Sequence, residues 1–178
     1  MSTPIIALFV AAFIIILIAA GYNQLVTLRN KVNEAYSTMD VYLKKRFDLV
    51  PELVAVVKGY AAHESATLEN ITKSRTNGMD DHFKGENQIA SALGKIMVVA
   101  EAYPELKANK NFLDLQKELS KIEEDIAASR RYYNGSVREY NNSCQTVPSN
   151  IIAMLFHFTA KPMFEASDEE RKIANYEI

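Results

Sequence analysis

His63-Glu64 is the point at which this sequence comes nearest to a metal-dependent catalytic motif. A zinc-protease motif needs a second histidine four residues after the first, so that both imidazoles lie on one face of a helix and bind the same ion. Thr67 occupies that position here, so the spacing fails. The other histidines, His82 and His157, have no second ligand nearby in sequence. We therefore expect no metal site.

Cys144 is the single cysteine of the chain, which excludes an internal disulfide and a cysteine zinc cage. A catalytic nucleophile needs an exposed thiolate and a nearby base. Cys144 instead falls on the apolar face of a predicted helix, and a buried cysteine behaves as a small hydrophobic residue. The sequence therefore predicts no catalytic residue, no cofactor site and no enzymatic activity.

Three Tyr-Asn pairs could form polar contacts inside a helical protein. Two of the pairs are seven residues apart and so lie on one helix face, while the third is at the start of the first helix. Partly buried tyrosine and asparagine side chains can hydrogen-bond between helices and fix their register, and the alternative is a ligand site lined by the same residues. The residues concerned are Tyr22, Asn23, Tyr133, Asn134, Tyr140 and Asn141.

An uncharged apolar run, IIALFVAAFIIILIAA, occupies residues 5–20. Residues 4–22 would span about 28 Å as a helix, close to the roughly 30 Å hydrocarbon core of a bilayer. The run predicts a transmembrane helix, with the lipid bilayer as the partner of residues 4–22. A cleaved signal peptide is the alternative, with Ala19 and Gly21 as its small residues, but no basic residue precedes the run as signal peptides require.

The charges of the chain indicate which side of the membrane carries its body. No Lys or Arg precedes the span, whereas Arg29 and Lys31 follow it closely. The positive-inside tendency then places the body of this single-pass protein in the cytoplasm. A composition with 48% hydrophobic and 24% charged residues fits a folded chain, and the net charge of −2 gives no basic footprint for nucleic acid.

Apolar positions that recur every three and four residues predict an all-α body of four helices. The predicted helices cover residues 22–47, 49–76, 86–103 and 111–147, with a polar loop at 76–87 and an N-cap at Asn109 or Asn111.

Pro51 decides how the first two predicted helices connect. Asp48 as an N-cap would put Pro51 in a first turn, where a missing N–H costs little, so we expect a break at 47–50. The fold would then be a transmembrane helix followed by an up-and-down four-helix bundle with long antiparallel helices. A single helix kinked at Pro51 is the alternative.

The sequence resembles the LemA family over nearly its whole length. The resemblance is carried, in order, by GYNQLVTLRNKVNEAYSTMDVYLKKRFDLVPELVAVVKGYAAHE, YPELKANKNFLDLQKEL, IAASRRYYNGSVREYN and VPSNIIAMLFHF. It implies a bacterial membrane-associated helical bundle without an established enzymatic activity or cofactor. The chain would divide into an anchor (1–22), a bundle (23–164) and a charged tail (165–178). Some relatives carry a lipoprotein-type cysteine where this chain has Ala20. Such a cysteine implies that those relatives are exported, which opposes the cytoplasmic orientation expected for this chain.

A short apolar segment, NIIAMLFHF, follows the last long helix after Pro148. It is too short to span a bilayer, so it either plugs the end of the bundle or forms an interaction surface with the membrane interface or a second copy. The residues of this surface are Ile151, Ile152, Met154, Leu155, Phe156 and Phe158.

These features predict a non-enzymatic scaffold with unidentified protein partners and a homo-oligomer as one form of assembly. A regulatory module that binds a ligand or peptide in a groove between helices is the alternative.

Overall fold

The structure is a computed structural model that describes residues 3–61 and 82–164. The described residues contain helices and no strand, so the predicted all-α class is confirmed. The helices are α1 (Thr3–Lys58), α2 (His82–Ala102), α3 (Pro104–Lys107), α4 (Lys110–Gln145) and α5 (Ser149–Leu155). The predicted tail, 165–178, lies outside the described residues.

The N-terminal part of α1 is the one stretch of the described residues that is long and apolar enough to cross a membrane. Its mean hydropathy is 2.9, and none of that stretch is buried within the protein. A long apolar helix with no protein around it fits a lipid environment. The predicted apolar N-terminal helix is therefore confirmed.

The predicted helix break at 47–50 is wrong, because α1 continues through Pro51 to Lys58. Proline inside a helix costs about 3 kcal/mol through its missing N–H and its ring. Full burial of one large apolar side chain contributes about 1.5 to 3 kcal/mol, so two or three such residues offset that cost. Large apolar side chains on both sides of the proline are buried: Phe47, Leu49, Val50, Leu53, Val54 and Val57.

The predicted loop at 76–87 and the fourth predicted helix can be compared with α2 and α4. Residues 82–87, expected to be loop, begin α2, whereas 62–81 lie outside the described residues together with most of the predicted second helix. The fourth predicted helix, 111–147, corresponds to α4. Its predicted N-cap is confirmed, because Asn109 Oδ1 accepts a 3.1 Å hydrogen bond from the Phe112 N–H.

The described residues form two compact units. The second unit comprises 38–61 and 82–129. In it, the buried Arg46 of α1 donates from Nη1 to both carboxylate oxygens of Glu123 on α4, at 3.1 Å each. In the same unit the Asn109 amide donates to the Tyr60 hydroxyl at 2.8 Å. These contacts tie the end of α1 to the start and middle of α4.

The first unit comprises 3–37 and 130–164, and it holds the sequence-predicted polar pairs and the apolar segment. Its core forms where α1 meets the C-terminal half of α4. The buried members are Val32, Ala35, Tyr133, Val137 and Tyr140, with Leu28, Tyr36, Cys144, Phe158 and Phe164 packed against them. The prediction that Cys144 packs as an apolar residue is consistent with this position, where it is partly buried and free.

Candidate functional site

Asn141 on α4 holds the backbone of a C-terminal segment, residues 159–164, which we call the strap. Its amide donates from Nδ2 to the Lys161 carbonyl, and its Oδ1 accepts from the Lys161 N–H, both at 2.8 Å. One side-chain amide thereby satisfies both polar groups of one residue, as a paired residue does on a neighbouring strand.

Asn134 repeats the same pair of contacts one step along α4. It donates to the Phe164 carbonyl at 2.9 Å and accepts from the Phe164 N–H at 2.8 Å. Seven helical residues separate the two asparagines, an advance of about 10.5 Å. Their targets, Lys161 and Phe164, are three residues apart in the strap. Each asparagine holds both backbone polar groups of one strap residue, and we call the two asparagines the clamp.

Aromatic and basic side chains complete the seat of the strap. The Tyr133 hydroxyl donates to the Pro162 carbonyl at 3.0 Å, between the two clamp contacts. The Arg130 guanidinium lies 4.5 Å from the centre of the Phe164 ring, a cation–π distance. Burial raises the pKa of Tyr133, with the neighbouring Tyr36 adding to the shift.

Tyr140 lies fully buried in the same core. Burial raises the pKa of its hydroxyl to about 12, and its hydrogen bond with the Cys144 side chain acts in the same direction. Tyr140 is therefore neutral at physiological pH.

The strap reaches the clamp from α5, which lies against α1 at the end of the predicted span. The Ile152 side chain contacts Gly21, where a Cβ atom would meet its Cδ1. The Tyr22 ring makes edge-on contacts with Phe156 and Phe158, at centroid distances of 4.8 and 5.6 Å. Glycine at position 21 therefore gives α5 its close approach to α1.

His157 ends α5 in a left-handed conformation, with a φ of 59°. The Phe158 N–H donates to the Ala153 carbonyl at 2.8 Å, and the His157 N–H to the Met154 carbonyl at 3.4 Å. These are the two hydrogen bonds of a Schellman motif, in which glycine normally takes the left-handed position. The motif redirects the chain out of α5 toward the clamp.

The residues predicted as an interaction surface divide between the two sides of α5. Ile152 and Phe158 are half-buried on the side that faces α1. Met154 and Ile151 are 75% and 59% exposed, and with neighbouring apolar side chains they form an uncovered surface that we call the α5 face. The α5 face consists of Val147, Ile151, Met154, Leu155 and Phe156.

A shallow cavity of about 300 Å³ lies beside the α5 face. Its wall is almost entirely apolar and comes from the last turns of the predicted span together with Phe156. The lining residues are Ile15, Ile18, Ala19, Tyr22, Asn23 and Phe156.

The structure brings some of the predicted polar residues together and separates others. Tyr133, Asn134 and Asn141 meet at the strap, whereas Tyr22 lies beside α5 and Tyr140 in the core. The side-chain hydrogen bonds of Tyr133, Asn134 and Asn141 go to the strap backbone, and a role in helix register stays a prediction. Sequence reasoning missed the strap, although the seven-residue repeat of asparagines was the signal for it.

The acidic, histidine and cysteine side chains of the described residues do not cluster into a metal site. Within residues 3–61 and 82–164, no three His, Cys, Asp or Glu side chains come together as metal ligands would. His63 lies outside the described residues.

Comparison with known proteins identifies relatives that match most of the chain. Protein LemA of Metamycoplasma hominis is 29% identical over 155 residues, covering 84% of this chain and 71% of the relative. Magnetosome protein MamQ 2 of Paramagnetospirillum magneticum is 24% identical over 189 residues, covering 89% and 69%. Magnetosome protein MamQ of Magnetospirillum gryphiswaldense is 22% identical over 168 residues, covering 77% and 62%.

A family model, described as the LemA family, matches residues 35–176, which is well over half of the chain. The match includes α4, the clamp, α5 and the strap. The resemblance expected from the sequence motifs is thereby confirmed, and the chain belongs to the LemA family.

Proposed function

We propose that this membrane-associated helical protein is a non-enzymatic scaffold, anchored in the bacterial cytoplasmic membrane by one N-terminal span and carrying its body on the cytoplasmic side. Residues 1–22 form the anchor and residues 23–164 the body. The body presents apolar and charged helix faces to unidentified protein partners and to further copies of the chain.

One observation carries the proposal: the helix that is apolar and bare at its N-terminal end is the same helix that supplies the core further along. Within the first unit, α1 passes from the exposed residues of the span to the buried Leu25, Val32 and Ala35 without a turn. A helical connection transmits position more faithfully than a flexible linker, because its length is fixed at about 1.5 Å per residue. A scaffold needs that property, whereas a diffusing enzyme does not.

The chemistry of the first unit also favours a structural role. The conspicuous polar groups, the two clamp amides, are occupied by the chain's own strap. A ligand in that groove would have to displace five hydrogen bonds, counting the Tyr133 contact. The groove-binding alternative therefore receives less support than the scaffold.

Photo-crosslinking in native membranes tests the scaffold role. A photoreactive residue at Val98, which is 68% exposed on α2, should give discrete protein adducts of constant mass. Excess unlabelled protein should compete for these adducts, since a specific surface saturates. Diffuse adducts that excess protein does not reduce would contradict a scaffold.

The orientation is tested by thiol labelling. In a Cys144→Ser background, Leu113→Cys places a thiol at a 48% exposed position on α4. A membrane-impermeant reagent should leave it unlabelled in spheroplasts and label it after permeabilisation. Labelling in both conditions would place the body outside and overturn the cytoplasmic orientation, as the exported relatives with a lipoprotein-type cysteine would suggest.

A further inference from the structure

The α5 face lies at a defined depth along the axis of α1. Gly21 contacts Ile152 on the opposite side of α5, and Tyr22 contacts Phe156 at the edge of the α5 face; Gly21 and Tyr22 are the last residues of the predicted span. The span of 4–22 covers about 28 Å, so these residues lie where hydrocarbon gives way to headgroups. Tyrosine is enriched at that level because its ring is apolar and its hydroxyl is polar.

The composition around α5 suits the same level. Residues 144–160 contain no Asp, Glu, Lys or Arg. A basic group lies at the edge of this segment, because the Arg29 guanidinium is 5.3 Å from the Phe158 ring centre. Arg29 is seven residues beyond Tyr22, about 10 Å along α1, which is within reach of lipid phosphates.

We propose that α5 lies in the membrane–water interface and contacts lipid through the α5 face. This proposal rests on the anchor assigned under the proposed function. The bilayer is the occupant because the α5 face is continuous with the bare surface of the span. The cavity beside it joins the two, since Ile15 and Ile18 of the span and Phe156 line one wall. Apolar surface exposed beside a membrane span faces acyl chains rather than water.

Tryptophan fluorescence in the full-length protein provides the test, because the natural chain has no tryptophan. Met154→Trp reports on the α5 face, and Ile151→Trp is a second reporter one turn away. Phe13→Trp, 61% exposed at the midpoint of the span, is the positive control. Tyr132→Trp, 47% exposed, is the aqueous control, because its neighbour Tyr133 contacts Tyr36, about 21 Å along α1 from Tyr22.

The variants are reconstituted into phosphatidylcholine vesicles with a minor fraction of phosphatidylglycerol. Part of the phosphatidylcholine carries bromine near either the carbonyl end or the methyl end of the acyl chain. Met154→Trp and Ile151→Trp should emit at shorter wavelength than Tyr132→Trp and lose most emission to the carbonyl-end label. Phe13→Trp should lose most emission to the methyl-end label, and Tyr132→Trp should respond to neither.

The outcomes separate this proposal from the anchor itself. If Phe13→Trp is quenched and both α5 reporters are not, the anchor stands and the interfacial location of α5 is refuted. If the α5 reporters are blue-shifted yet shielded from lipid and from aqueous acrylamide, the face contacts a second copy, and the proposal is also refuted. If Phe13→Trp is unquenched, the anchor is wrong and the proposal falls with it.

Discussion

The asparagine clamp predicts a local loss of structure that can be measured amide by amide. Asn141→Ala removes the two 2.8 Å hydrogen bonds to Lys161, and Asn134→Ala removes the two to Phe164. A hydrogen bond of this kind contributes about 0.5 to 1.5 kcal/mol net, so each substitution should destabilise the strap by about 1 to 3 kcal/mol. That range corresponds to a roughly 5- to 150-fold larger equilibrium constant for local opening of the strap.

Hydrogen exchange of the full chain in detergent micelles measures this effect directly. The Lys161 and Phe164 N–H groups of the strap donate to the two clamp side chains. Asn141→Ala should therefore speed exchange at Lys161 first. Asn142→Ala is the matched control, because Asn142 is exposed on the next position of the same helix. Both substitutions gain the same helix propensity, so the difference between them isolates the clamp.

The double variant tests whether the two asparagines act on one segment. Once the first substitution detaches the strap, the second has fewer bonds left to break. The double variant should therefore destabilise the strap by less than the sum of the two single variants. Equal exchange at Lys161 in Asn141→Ala and Asn142→Ala would refute the clamp. Full additivity would show that the two contacts hold independent segments.

Three further perturbations follow from the described geometry. Pro51→Ala should stabilise the protein by up to about 3 kcal/mol in chemical denaturation, whereas Pro104→Ala, at the start of α3, should change little; a neutral Pro51→Ala would contradict an uninterrupted α1. His157→Gly should raise the melting temperature by relieving a left-handed residue, worth about 1 kcal/mol, and a similar gain from His157→Ala would argue against that cause. Because burial raises the pKa of Tyr140 to about 12, its stabilisation is complete below pH 10 and is lost as pH rises from 10 to 12. The wild type should therefore lose about 2 kcal/mol relative to Tyr140→Phe over that interval, and parallel pH profiles would refute the assignment.

The periodicity of apolar residues predicted α4 well. It failed at Pro51, where the cost of a proline in a helix has to be weighed against the stabilisation from burial of its neighbours. The spacing of apolar residues located α4 to within a residue or two at each end, and the structure selects Asn109 from the two predicted caps, Asn109 and Asn111. At Pro51 the sequence shows the cost of a proline but not the burial of Leu53 and Val57 that offsets it. Only the tertiary structure shows that burial, so a rule based on proline alone predicted a helix break that does not occur.

The polar pairs show a different limit. Their seven-residue spacing established that Asn134 and Asn141 share a helix face, and it did not reveal what lies opposite. The partner is the strap, which has no periodic pattern of its own, since residues 159–164 form no regular secondary structure. A segment that is held by side chains instead of by its own hydrogen bonds leaves no repeat in its sequence.

The clamp and the α5 face depend on each other through the shortness of the chain between them. A seven-residue helix is not stable alone, because the first turn of a helix is costly and few bonds follow it. α5 is therefore held from outside, by the contact of Ile152 with Gly21 on one side and by the strap beyond His157 on the other. Releasing the strap should loosen α5 even though no clamp residue belongs to it. Asn141→Ala combined with Met154→Trp should thus broaden the depth distribution of the tryptophan in the bilayer. An unchanged quenching profile would show that α1 alone fixes the position of α5.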